Sequence, residues 1–121
     1  MLFDTNIIIA YLKGDNDVVS IMSDWKREGR AFIISSITFS EVLSLSSLSP
    51  IQIKEIKTFL NTFISVPFDN QIGEIASYFR RKYKVPLPDA AIAATALSSQ
   101  SPLVTRDHDF CKIKEIRMIE I

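Results

Sequence analysis

The sequence predicts an α/β domain built on a largely parallel sheet, and three observations carry that expectation. Short apolar runs bounded by turn residues alternate with segments of helical period along the chain. Capping residues and glycines stand where the helical segments need to begin and end. Acidic residues recur just past the apolar runs, where an open α/β sheet gathers a ligand site.

The first apolar run, Met1 to Phe3, reads as a strand ending at Asp4. Ile7, Ile8 and Ile9 are β-branched, and propensity alone would prolong that strand through them. Asp4-Thr5-Asn6 offers capping oxygens and Gly14 a stop, so a helix is expected from about Asn6 to Lys13. A second helix carries Val18, Val19, Met22 and Trp25 as an apolar stripe and closes at Gly29. Ala31 to Ser35 forms the second strand candidate. In the helix that follows, Thr38-Phe39-Ser40-Glu41 fits a capping box, and Leu43, Leu45 and Leu48 supply apolar surface, mostly for the core. The segment from Ser44 to Pro50 is serine-rich, yet too short and too apolar for a linker.

Further on, Ile53, Ile56, Leu60 and Phe63 recur at helical spacing, and Phe63 to Phe68 is the third strand candidate. Asp69 is placed to cap a helix whose buried face is Ile72, Ile75, Ala76, Phe79 and Tyr83. Pro88 suits the first turn of the next helix and Asp89 complements its dipole. That helix carries Ala90, Ala91, Ala93, Ala94 and Ala96, small enough for very close packing. Leu103 to Thr105 is the fourth strand. Arg117 to Ile121 is a fifth, either parallel or an antiparallel or edge element.

A chain of 121 residues, 47% hydrophobic and 23% charged, is expected to form one domain over residues 1–121 around its own core. Fourteen Lys and Arg balance fourteen Asp and Glu, so net charge points to no nucleic acid. Drawing several acids into one pocket would nevertheless leave the rest of the surface basic. The single cysteine, Cys111, and the lack of a Cys/His zinc spacing favour a cytoplasmic protein. The N-terminus has no basic leader and no apolar run is long enough for a bilayer, so no membrane association is expected.

Four acids stand on apolar or small-residue segments rather than on charged faces: Asp4, Glu41, Asp89 and Asp107, with Asp109 close behind the last. Each alone has an ordinary structural use, as a helix cap, a capping box, a dipole partner or an Asx turn. Their joint placement past strand ends has none. Clustered carboxylates repel one another and some would protonate, whereas a divalent cation reverses that electrostatic logic. Oxygen-only ligands select a hard cation, Mg²⁺ or Mn²⁺, which suits phosphodiester hydrolysis.

In order, the strings MLFDTNIIIAYL, ISSITFSEVL, LPDAAIAATAL and LVTRDHDF resemble the PIN-domain family, and within it the VapC toxins of toxin–antitoxin modules. The resemblance covers nearly the whole chain. It implies a three-layer α/β/α sandwich with a mainly parallel central sheet and a metal-dependent endoribonuclease site at the sheet's carboxyl edge, leaving 5′-phosphate and 3′-hydroxyl ends. Asp4, Glu41, Asp89 and Asp107 match the acidic metal positions. Asp109 is an alternative or additional fourth ligand. Thr5 or Asn6 and Thr105 match small polar positions that support the site. The resemblance also implies an antitoxin partner, which could place an Arg in the acidic pocket, and a homodimer.

Candidate RNA contacts are Arg106, with Lys112 and Lys114, and the basic run from Arg80 to Lys84, in which Arg80 and Arg81 would meet phosphate and Tyr83 stack on a base. That run is equally suited to a solvated helix terminus. His108, between two candidate ligands, is expected to point outward rather than act as a base. Two other functions fit the same residues less well. A Mg²⁺-dependent phosphatase-like domain would need a second aspartate where the chain has Asp4-Thr5-Asn6. A non-catalytic RNA- or protein-binding module would not need the acids.

Overall fold

Asp4 decides where the first strand stops. Its carboxylate accepts a hydrogen bond from the Thr5 amide at 2.8 Å, capping a helix that takes in all three isoleucines. Capping thus outweighs the β propensity of that triplet. The structure, a computed structural model, describes residues 1–121. The elements are β1 (Leu2–Phe3), α1 (Thr5–Leu12), α2 (Asn16–Arg27), β2 (Ile33–Ser35), α3 (Ser36–Leu43), α4 (Pro50–Leu60), β3 (Ile64–Val66), α5 (Asn70–Tyr83), α6 (Leu87–Ser98), β4 (Leu103–Thr105), a 3₁₀ turn (His108–Lys112) and β5 (Met118–Glu120).

The five strands pair in the order β3-β2-β1-β4-β5, every neighbour parallel. β1 lies at the centre, with Leu2 opposite both Ile33 and Leu103 and Phe3 opposite Val104. Successive residues face opposite sides, so each strand feeds two cores. Leu2 and Leu103 pack with α5 and α6, while Phe3 and Val104 pack with α1 to α4. Burial on both faces explains why the strands read as unbroken apolar runs. The result is the expected α/β/α sandwich.

On the α1–α4 side, Phe3 meets Trp25, Phe32 and Phe63 with ring centroids 6.2, 4.8 and 5.9 Å away. On the other side, α6 is buried from Ala90 to Ala96, and its alanines let α5 lie close against it. No helix is long and apolar enough to cross a membrane.

Several sequence expectations need correction. The strands are shorter than the apolar runs, although the ladder continues past β1 through Ile33 N to Met1 O at 3.0 Å and Asp4 N to Val104 O at 2.9 Å. The fifth strand is a parallel edge. Phe63 lies beyond α4 yet is buried, because the turn after Leu60 folds it back on Phe3. Ile53 and Leu45 are exposed, so α4 and the turn before it bury less than their spacing suggests. The capping box at Thr38–Glu41 does not form: Ser35 caps α3 instead, and Glu41 sits past the middle of the helix. A capping box occurs at Ser49 and Gln52.

Gly14 and Gly29 close α1 and α2 with φ of 77° and 76°, where glycine carries no Cβ penalty. The end of α5 lacks that device: Lys84 takes the left-handed position at φ 56°. Lys84→Gly is therefore expected to stabilise the fold by about 1 kcal/mol, seen as a rise of the unfolding midpoint in urea at unchanged slope.

Candidate active site

The sheet's carboxyl edge collects the acids because Asp4 and Asp107 follow β1 and β4, Asp89 opens α6, and Glu41 is carried on α3, the helix that follows β2. Asp4 ends β1 and is only 6% exposed. Its Oδ1 is held by the Thr5 amide, and its Oδ2 accepts from Thr105 Oγ1 at 2.7 Å. Thr105 ends the adjacent strand β4 and is fully buried. The same Oγ1 accepts from the Asp107 amide at 2.9 Å, so one hydroxyl ties Asp4 to the chain carrying the fourth acid. Asp107 Oδ1 accepts from the Asp109 amide at 2.9 Å and opens the 3₁₀ turn, the Asx role foreseen for it.

Glu41 reaches the same region from α3. Its Oε1 accepts from Thr5 Oγ1 at 2.7 Å, and Thr38 Oγ1 lies 3.0 Å from that hydroxyl. Thr5 has one hydroxyl proton and gives it to Glu41, so Thr38 is the donor to Thr5. Thr38 and Glu41 share a face of α3 at a spacing of three residues, the relation that resembles a capping box in sequence. Asp89, half-buried in the first turn of α6, completes the group.

The acids feel one another. Burial pushes the Asp4 carboxyl up to about 6, against the opposing hydrogen bonds from Thr105 and Thr5, and the charges of Asp89 and Asp107 add to the rise. Asp89 is raised by burial, then by Asp107, Glu41 and Asp109, with Lys112 opposing. Asp107 acts on both Asp4 and Asp89, whereas Asp109 acts on Asp89 and is more exposed.

No three of these carboxylates converge tightly enough to clasp an ion unaided. A small hard cation bound here would have to retain several waters and take few protein ligands. The donor set is all oxygen, and Asn6 Oδ1 beside it is buried without a hydrogen-bond partner. An unpaired buried acceptor costs about 1–3 kcal/mol, a deficit that a cation's water could relieve. The donor chemistry of the residues present is of the kind that fits a hard divalent cation.

The remaining named residues lie outside this group. His108 points away, 78% exposed, with Nδ1 3.4 Å from Glu120 Oε2. Arg106 turns from the acids: it donates to Asp15 Oδ2 at 2.9 Å and to Ile121 O at 3.2 Å. Arg80 and Arg81 are exposed in the last turn of α5, complementing its dipole. Tyr83 is not a free stacking platform, because its hydroxyl donates to Glu115 and Phe79 packs beside its ring. Thr38 and Asp15 escaped sequence reasoning. Only the spacing from Thr38 to Glu41 pointed to the first, and nothing local pointed to the second.

The PIN domain family model matches residues 1–116. The chain belongs to the PIN-domain family. No curated protein matches the sequence. Among solved structures, this PIN domain is similar to a chain of a toxin–antitoxin complex from Klebsiella pneumoniae, with 33% identity, 99% of this chain and 98% of that chain covered, and a TM-score of 0.84. It is also similar to a chain of DNA-bound VapBC from Salmonella typhimurium, with 26% identity, 98% and 96% coverage and a TM-score of 0.78. A chain of FitAcB from Neisseria gonorrhoeae, 24% identical with 98% and 96% coverage, shares the PIN fold at a TM-score of 0.81.

Proposed function

We propose that this chain is a metal-dependent endoribonuclease, the toxin of a VapBC-type toxin–antitoxin pair acting in the cytoplasm. The observation that carries the reading is the coupling of acids from separate elements at one sheet edge. The PIN-domain match and the 33% identity to a chain of a toxin–antitoxin complex support it.

Asp4, Glu41, Asp89 and Asp107 would hold the Mg²⁺ or Mn²⁺, with Asp109 as an outer contributor. The cation, when bound, would polarise the scissile phosphate and ease ionisation of water. Thr105 and the Thr5 amide hold the Asp4 carboxylate in one orientation. Thr5 and Thr38 do the same for Glu41, engaging Oε1 and leaving Oε2 to accept a proton from the attacking water. In-line attack would leave 5′-phosphate and 3′-hydroxyl ends. Arg80 and Arg81 are offered as outlying phosphate contacts. An antitoxin Arg placed among the acids would replace the cation's charge, and a homodimer is the expected assembly.

The test is incubation with a mixed tRNA, rRNA and mRNA pool, with and without Mg²⁺ or Mn²⁺, followed by mapping of the ends. Cut sites with 5′-phosphates that vanish in EDTA are expected. Intact RNA together with no calorimetric signal for either cation would favour a non-catalytic PIN module. A phosphorylated Asp4 trapped with a phosphate donor would favour the phosphatase-like alternative.

A further inference from the structure

Along α1 runs a shallow groove of about 490 Å³ whose walls include Asn6, Ile9, Ala10, Lys13, Asp15 and Arg106. Asn6, Ile9 and Ala10 stand at i, i+3 and i+4 on one stripe of α1, and Lys13, at the helix's C-terminal cap, continues it at i+7. None of the four acids lines the groove, but the chain links both of its walls to the site. Asn6 follows Thr5, which binds Asp4 and Glu41, and Arg106 stands between Thr105 and Asp107. Its two cations are Lys13, exposed, and Arg106, which Asp15 engages at 2.9 Å. Asp17 adds a weaker negative field on Arg106.

We infer that this groove is the track by which the RNA backbone passes the acidic centre, and that Asp15 masks Arg106 until a phosphate displaces it. The inference rests on the ribonuclease reading and adds to it Lys13 as a phosphate contact and Asp15 as a brake on binding. The reasoning is electrostatic. A pocket of carboxylates repels a phosphodiester chain, so the cations that draw RNA in must flank it. Arg106 is the cation adjacent in sequence to the acids, and it is held by a pair that is only partly buried, with side chains 36% and 31% exposed. A pair of that exposure, made through a single carboxylate oxygen, is weak enough for a phosphate to replace the carboxylate, and a phosphate can engage a guanidinium through two oxygens.

Asp15 permits a clean test because its two oxygens do different work. Oδ1 caps α2 through the Val18 amide at 3.2 Å, and Oδ2 takes Arg106. Asp15→Asn keeps the cap, since asparagine caps as well as aspartate, and removes the competing charge. Binding of a fluorescein-labelled RNA oligonucleotide is measured by anisotropy over a salt series, with Ca²⁺ replacing Mg²⁺ and intact RNA verified on a gel. Asp15→Asn is expected to bind roughly threefold more tightly. Lys13→Ala and Arg106→Ala are each expected to weaken binding and to lower the slope of log K against log salt by about 0.7. Combining Asp15→Asn with Arg106→Ala should bring no gain over Arg106→Ala alone.

A gain from Asp15→Asn that persists without Arg106 would overturn the masking role. Unchanged salt slopes in Lys13→Ala and Arg106→Ala, with weakened capture of a polyglutamate peptide, would overturn the RNA track and make the groove a seat for an acidic protein segment. Failure of the ribonuclease reading has a different signature: the unmodified protein would neither bind this RNA nor cleave it in Mg²⁺.

Discussion

Asp4→Asn is expected to lower metal-dependent RNA cleavage by about 10³-fold or more while making the metal-free protein more stable. The two effects have one origin. Asp4 is buried and stands in the field of Asp89 and Asp107, which lifts its carboxyl to about 6 in the fold. The folded state thus holds a proton that the unfolded chain has already released. Stability of the metal-free protein falls as pH rises from about 4, the ordinary aspartate value, through about 6, and stays lower above it.

Two units of such displacement amount to about 3 kcal/mol, the upper size of the gain that asparagine brings at pH 7.5. The amide oxygen of the substituted side chain would still accept from the Thr5 amide, but the amide nitrogen replaces the oxygen to which Thr105 donates, and the loss of that hydrogen bond offsets part of the gain. Asp15 and Glu115 act with the opposite sign at lower pH. The Arg106 hydrogen bond holds Asp15 below the usual carboxylate range and the Tyr83 hydroxyl does so for Glu115, so both stabilise the fold above that range and lose this on acidification. Thermal unfolding in EDTA at pH 5 and 7.5 checks the first claim: the difference between the two pH values should shrink in Asp4→Asn. Adding Mn²⁺ at pH 7.5 should raise the midpoint of the unmodified protein and leave the variant nearly unmoved. A variant that retains cleavage, or one less stable than its parent at pH 7.5, contradicts the assignment.

The second large effect is expected at Thr105. Thr105→Val keeps shape and burial but removes the oxygen that donates to Asp4 Oδ2 and accepts from the Asp107 amide. Two buried polar groups lose their partner together, for a cost of about 1–3 kcal/mol. Loss of a group that orients metal ligands typically reduces affinity or activity by about 10- to 100-fold. Calorimetry should report weaker Mn²⁺ binding, and kcat should fall more than KM rises. Thr105→Ser, which keeps the hydroxyl, should recover most of both. Equal cleavage by the valine and serine variants would leave Thr105 as packing only.

Much of this candidate site is proposed from the sequence because its acids are out of place there. Asp4 interrupts an apolar run and Asp89 opens an alanine-rich helix; a carboxylate in apolar surroundings needs a reason. Strand ends and helix starts follow from the same capping chemistry, which is why Asp69, Gly14 and Gly29 are found where expected. The errors are also physical. Thr38–Glu41 satisfies the spacing of a capping box, but Ser35 caps the helix one turn earlier, and only the fold reveals that the spacing serves Thr5 instead. The Arg106–Asp15 pair joins residues 91 positions apart, and no local pattern encodes such a pairing.

The central position of β1 has a consequence for the timing of synthesis. The hydroxyl that orients Asp4 belongs to Thr105, made 101 positions later, on the strand that must pair beside it. At about 5–20 residues per second, the ribosome holds a chain without an assembled site for roughly 5–20 s. A parallel pairing of such long range is also slow to form. On the ribonuclease reading, the polypeptide therefore has no assembled site over the interval between the synthesis of Asp4 and that of Thr105.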